Sequence, residues 1–241
     1  MQKISILVIV FALALGACSG AAETATQPAE APAATTAPEI PTEAPQAAPS
    51  EAPTAAVEAP AGGPVTYKIV PGESTVTYEV GETFFNQNNR FNLAVGVTSQ
   101  VAGDIQLDVA NPQGAQVGPI AIDISQFQSD SGRRDERIRQ QWLESASYPT
   151  ATFTPTSIDG LPATYTEGQP ISFTMTGDLT VKQTTKPVTF EVTAILQAGV
   201  LTGTATTTIL LSDFAVGPIE IAGMLGTEDE AKLTLAFVAR P

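Results

Sequence analysis

From about Val65 to Pro241, apolar side chains recur at every second residue, and a chain with that period folds as β-strands with one apolar face. Between residues 171 and 181, Phe173, Met175, Gly177, Leu179 and Val181 share a face, opposed by Ser172, Thr174, Thr176, Asp178 and Thr180. Val188, Phe190, Val192, Ala194 and Leu196 repeat the pattern. So do Val76, Tyr78 and Val80, the run from Leu201 to Leu211, and Leu233, Leu235 and Phe237. Less regular candidates lie at 67–70, 91–97, 101–109 and 117–124. Turn signals such as Asn111-Pro112-Gln113-Gly114 and Asp159-Gly160-Leu161-Pro162 separate the runs. Roughly eight or nine two-faced strands predict an all-β domain, an antiparallel sheet closed or packed around one interior. The strands lack the aromatic girdles of a membrane barrel, so the apolar face is expected to point inward.

One stretch departs from period two. Residues 132–147 (GRRDERIRQQWLESAS) have helical propensity, with Asp130 or Ser131 available as N-cap and Pro149 to stop the helix. Ile138, Trp142 and Leu143 give it a short apolar stripe. Arg133, Arg134, Arg137 and Arg139 concentrate positive charge there.

The N-terminal part is different material. Residues 1–17 combine Lys3, an apolar run from Ile4 to Leu15 and small residues, which reads as an export signal. The run is too short to cross a hydrocarbon core of about 30 Å. Leu15-Gly16-Ala17-Cys18 resembles a bacterial lipobox, in which the cysteine is acylated and becomes the new N-terminus. Residues 18–64 then form an Ala/Pro/Thr/Glu-rich linker. It holds Glu23, Glu30, Glu39, Glu43, Glu51 and Glu58 but no lysine, arginine or aromatic residue. Such a segment is expected to be disordered with polyproline character. As a flexible coil it spans about 35–40 Å. The expected organisation is thus a lipoprotein signal (1–17), an acylated Cys18 with its leash (18–64) and one folded domain (65–241). The domain would be exported and lipid-anchored to the cell or outer membrane, on the periplasmic or extracellular side.

Composition removes several chemistries. The chain has no histidine and one cysteine, which rules out Ser-His-Asp and Cys-His catalysis, histidine zinc sites and intramolecular disulfides. No metal ligand set is expected. A formal net charge of −14 disfavours nucleic acid and anionic surfaces, which leaves membrane attachment to the lipid. Asp178, Glu191 and Asp213 are the carboxylates nearest to a pair, but Asp178 and Glu191 fall on outward strand positions, so no catalytic residue is assigned.

A set of short motifs carries a family resemblance. Arg134-Asp135 before a short helix, Tyr148-Pro149-Thr150-Ala151-Thr152-Phe153, Ser157-Ile158, Gly177-Asp178-Leu179-Thr180-Val181, Thr185-Lys186-Pro187-Val188 and Ser212-Asp213-Phe214 follow one another in the order of the YceI-like domain family. Tyr67 to Val70 and Ser74 to Val76 fit its first strands. The resemblance implies an extended, antiparallel, eight-stranded lipocalin-like β-barrel with one short helix, whose apolar lumen takes up isoprenoid or other amphiphilic chains. It implies a non-enzymatic binder of a polyisoprenoid or quinone-type lipid, with no cofactor beyond that ligand. The histidine that many members carry after the first long strand is absent from Val80 to Asn86 here.

Candidate lumen-lining residues are Phe127, Trp142, Phe153, Phe173, Phe190 and Phe214. Arg133, Arg134 and Arg137 are candidates for head-group contacts at the barrel mouth, with Arg134 and Asp135 also suited to tying the helix to the barrel. The alternative reading is a cell-envelope interaction module whose barrel is packed solid. The oligomeric state is left open by the sequence.

Overall fold

The computed structural model describes residues 63–241. The signal segment, Cys18 and all of the expected linker except Gly63 and Pro64 lie outside the described residues.

The chain opens with β1 (Val65–Ile69), β2 (Thr75–Phe84) and β3 (Arg90–Thr98), then the short β4 (Val101–Ala102), β5 (Asp104–Leu107), β6 (Gln116–Val117) and β7 (Ile120–Asp123). Helix α1 (Gly132–Arg137) interrupts the strands. The long β8 (Thr150–Asp159), β9 (Ile171–Val181), β10 (Thr184–Gln197) and β11 (Val200–Leu210) follow. A two-residue β12 (Glu220–Ile221) precedes β13 (Leu225–Arg240).

Every ladder is antiparallel. Strands β7, β8, β9, β10, β11 and β13 pair in succession, β2 adds to β13, and β3 adds to β2. At the other end β4 adds to β7 through Val101↔Ile122 and Ala102↔Ala121. Only Ser99 and Gln100 separate β3 from β4, so one segment carries both ends of the sheet and curls it around a lumen of eight strands. The seam is thin. Beyond β4 it has only the bridge Val97↔Gln128, and β3 has no second neighbouring strand before Val97. This curled antiparallel sheet is the one expected from the alternation, and its lipocalin-like form is the one the family resemblance implies.

Three expectations about local structure change. Residues 101–109 do not form one strand: the chain splits at Gly103, with β4 serving the barrel and β5 pairing β1. Residues 117–124 split likewise at Gly118 and Pro119, with β6 pairing β5 and β7 joining the barrel. A Cβ at Gly103 would lie 3.2 Å from Ile120 Cγ1 and 3.3 Å from Ile69 Cδ1, so the chain passes there because the position is bare. The helix is also shorter than 132–147. Its α-helical part ends at Arg137 and continues as a wider π turn from Ile138 to Trp142, closed by Leu143 N–H donating to the Ile138 carbonyl at 2.8 Å. The extra residue per turn brings Ile138 and Leu143 to the same side, and both face the lumen.

Three inward glycines lie beneath aromatic rings of the next strand. Gly96 faces Tyr78 and Gly203 faces Phe237 in register, while Gly177 lies diagonal to Phe153. A Cβ at Gly203 or Gly177 would come within 2.7 Å of the Phe237 or Phe153 Cζ, and one at Gly96 would strike the Tyr78 ring. The rings therefore lie along the wall instead of projecting across the interior. Among the described residues no helix is long and apolar enough to cross a membrane.

Candidate functional site: an apolar lumen with a charged mouth

Inward positions of the strands line a cavity of about 180 Å³. Val76, Tyr78 and Val80 come from β2, Ala151 and Phe153 from β8, Met175 and Leu179 from β9, Phe190 from β10, and Leu233 and Leu235 from β13. Its only polar side chains are Tyr78, Glu82, Thr227 and Thr234. The rest of its wall is hydrocarbon, a poor surface for water and a good one for an apolar chain. Ring pairs stiffen the wall: Phe153 meets Phe190 edge-on at 4.8 Å, and Tyr78 meets Phe127 at 5.1 Å. Burial, reinforced by the nearby Asp135 charge, pushes the Tyr78 hydroxyl up to about 12.

A second space of about 300 Å³ adjoins the first and shares Glu82, Ile138, Ile219 and Thr227 with it. This vestibule is lined by the end of β2, by α1 with its π turn, and by Ile221, Met224 and Leu225. At the junction the Arg134 guanidinium donates to both carboxylate oxygens of Glu82, Nε at 3.1 Å and Nη2 at 2.9 Å. Asn92 Nδ2 adds a third bond to Glu82 at 3.1 Å, and Arg134 also meets Ser129 and Asp130. Burial opposes the Arg134 charge, but the bonds from Glu82 and Asp130 prevail and hold its pKa above the ordinary value.

The helix is tied down at both ends. The Ser131 hydroxyl caps Arg134 N–H, and the buried Asp135 carboxylate accepts from Ser129 N–H at 3.0 Å and from its hydroxyl at 2.5 Å. At the far end Lys182, in the β9–β10 turn, donates to the Trp142 carbonyl at 3.0 Å, to Glu144 at 2.9 Å and to the Ala215 carbonyl at 3.2 Å.

The sequence candidates separate accordingly. Phe127, Phe153, Phe190 and Phe214 line the lumen, and Trp142 lines the vestibule. Phe173 shares the inward face but lies at the far end of β9 opposite Val192, outside both spaces. Arg133, Arg134 and Arg137 all line the vestibule, with Arg134 engaged by Glu82. Asp178, Glu191 and Asp213 are exposed and are not brought together; Asp178 faces Pro187 and Glu191 faces Thr174 in register, while Asp213 meets Lys186 at 3.6 Å. Glu82 was missed. Its signal was parity: it follows Val76, Tyr78 and Val80 on the apolar face, where a carboxylate needs a cation.

The YceI-like domain model matches residues 67–239, which takes in nearly the whole barrel. The chain belongs to the YceI-like domain family. Within that family it is similar to protein YceI of Escherichia coli O157:H7, at 31% identity over 112 residues covering 46% of this chain and 54% of that protein. It is also similar to protein YceI of Salmonella newport, at 29% identity over 130 residues covering 52% and 63%. The chain thus spans little more than half the length of the curated relatives it matches. Two solved structures share the fold of this YceI-like domain. Burkholderia cenocepacia BcnA has a TM-score of 0.56 at 22% identity, covering 70% of this chain and 98% of that one. A polyisoprenoid binding domain from Saccharophagus degradans, implicated in plant cell wall breakdown, has a TM-score of 0.54 at 14% identity, covering 72% and 97%.

Proposed function

We propose that this YceI-like domain is a non-enzymatic carrier or sequestering protein for an apolar amphiphile, a polyisoprenoid or quinone-type lipid held in the lumen. The observation that carries the reading is the lumen itself. An unfilled apolar cavity of about 180 Å³ costs about 4 kcal/mol at roughly 24 cal/mol per Å³. That is a large share of a domain's stability of about 5–15 kcal/mol, and an apolar occupant recovers it. Each five-carbon isoprene unit withdrawn from water contributes about 3 kcal/mol, so the tail supplies affinity and the head group orientation. The name of the Saccharophagus degradans neighbour agrees with such a ligand. A solidly packed interaction module gains nothing from this interior.

In this reading Phe127, Phe153, Phe190 and Phe214 contact the tail and the head group sits in the vestibule. Arg133 and Arg137 meet its oxygens, because Arg134 is already held by Glu82. The domain is exported and tethered through an acylated Cys18 and the leash that follows, which keeps it beside the membrane that supplies the lipid.

The test is purification without denaturant or strong detergent, followed by organic extraction and mass spectrometry. An apolar lipid near one per chain is expected. Extracts without lipid, together with no uptake of an added quinone or geranylgeraniol, would overturn the reading. Cys18→Ser should release the chain from membranes; a released chain still carrying lipid separates binding from anchoring.

A further inference from the structure

Among the described residues, four large apolar side chains are half exposed or more: Phe91 (59%), Met224 (51%), Phe85 (50%) and Leu93 (50%). They gather at one end of the barrel. Phe85 follows Phe84, which lines the vestibule, and its N–H donates to the Met224 carbonyl at 2.9 Å. Phe91 lies opposite Thr83 and Leu93 opposite Gly81, on the outer side of β3. The Phe91 ring reaches over Gly81, 3.0 Å from where a Cβ would stand.

The cations sort in the same way. Lys68, Arg134, Lys182, Lys186, Lys232 and Arg240 each meet a carboxylate, and Arg139 donates to the Phe127 carbonyl. Arg90, Arg133 and Arg137 have no carboxylate partner among the described residues, and all three border the vestibule. Arg133 and Arg137 line it, and Arg90 lies 5.0 Å above the Phe84 ring. Exposed Glu136 and Glu220 lie on neighbouring segments and the Glu228 carboxylate sits over Gly81 beside the Phe91 ring, so this end is no long-range attractor for anions. The three guanidiniums act at hydrogen-bond range, where their fork fits phosphate oxygens.

We propose that the vestibule end of the barrel docks onto a lipid bilayer. Phe85, Phe91, Leu93 and Met224 enter the interfacial layer, and Arg90, Arg133 and Arg137 donate to lipid phosphates. This rests on the carrier reading in one respect: a ligand insoluble in water reaches the lumen without an aqueous step only if the mouth touches the bilayer. The combination of half-exposed aromatic and aliphatic groups with unpaired arginines beside an apolar opening fits a bilayer, which presents hydrocarbon beneath a layer of phosphate. The competing occupant is a second copy pairing along β3, whose outer side also carries Val95 and Val97.

The only tryptophan of the chain, Trp142, lies in the vestibule and reports contact. The full chain carrying Cys18→Ser is titrated with phosphatidylcholine vesicles bearing brominated acyl chains. Saturable quenching of Trp142 is expected. The triple variant Phe85→Ser, Phe91→Ser, Leu93→Ser should lower partitioning by about tenfold or more while the lumen keeps its lipid. Arg90→Gln leaves both the apolar surface and the proposed head-group contacts untouched and should weaken partitioning about threefold, a second route if the triple variant folds poorly. Equal partitioning of parent and both variants overturns the proposal. So does sedimentation showing that the triple variant turns a dimer into a monomer while the parent ignores vesicles. Full vesicle binding by a chain that never holds lumen lipid leaves docking standing and removes the carrier reading instead.

Discussion

Arg134 on α1 and Glu82 on β2 form a two-point ion pair across 52 residues of chain, at the boundary between an apolar lumen and a vestibule that carries charge. Glu82 is buried and its partner nearly so, which makes the pair conditional: each charge is tolerable only while the other stays. The pair therefore fixes where the helix sits over the opening.

Removing one partner should show that dependence. Arg134→Met strands the Glu82 carboxylate and should cost about 3 kcal/mol in urea unfolding, whereas Arg134→Met with Glu82→Leu should recover most of the loss. A double variant no more stable than the single one would mean that the pair contributes packing alone.

The glycines beneath the rings predict two different outcomes. A methyl at Gly177 meets the Thr154 carbonyl and, at 2.8 Å, the Pro155 Cα, which are backbone atoms that cannot turn aside. Gly177→Ala should lower stability by about 2–3 kcal/mol. At Gly96 the obstacle is the Tyr78 ring, which can swing away from the wall into the lumen. Gly96→Ala should fold with a smaller penalty and hold less lipid, as measured by extraction per mole of protein.

Tyr78 predicts an alkaline limit. Its hydroxyl is pushed up to about 12 by burial first and by Asp135 next, above the ordinary value of 10.0. A raised folded-state pKa for an acid that is neutral when protonated means full stabilisation below pH 10 and loss as pH rises from about 10 to 12. The lost contribution is about 2–3 kcal/mol. Tyr78→Phe keeps the ring against Phe127 and should flatten this limb of the stability profile; an unchanged limb would assign it to other groups.

Lys182 predicts a looser helix end. Lys182→Met removes donors from the Trp142 and Ala215 carbonyls and from Glu144. It should cost about 1–2 kcal/mol and shift Trp142 emission to the red as its ring gains access to water.

Strand faces were legible because alternation is a local property: Met175, Leu179, Phe190 and Val192 are buried where period two put them. Height along the barrel was not. Phe153 and Phe173 satisfy the same alternation, yet only Phe153 reaches the lumen, because facing inward does not say how far a residue lies from the sheet's end. The split at Gly103 and the π turn after Arg137 depend on contacts with Ile69, Ile120 and the lumen, which the sequence does not display. The arginines of the mouth were visible as a cluster. Their division into one engaged by Glu82 and two without a carboxylate partner required the fold. The open interior was legible only through the family resemblance; the residues alone leave a packed barrel as the alternative until Gly96 and Gly177 are seen beneath the Tyr78 and Phe153 rings.

Those glycines separate two properties that most binding pockets couple. In an ordinary pocket, girth and surface chemistry are set by the same side chains, so a wider ligand demands new contacts. Here the calibre of the tunnel follows from how closely a ring can lie against bare backbone, while the surface offered to a ligand remains the ring itself. A methyl at Gly96 would narrow the bore without changing any residue that lines it, so the width of this barrel and the chemistry of its surface can be varied separately.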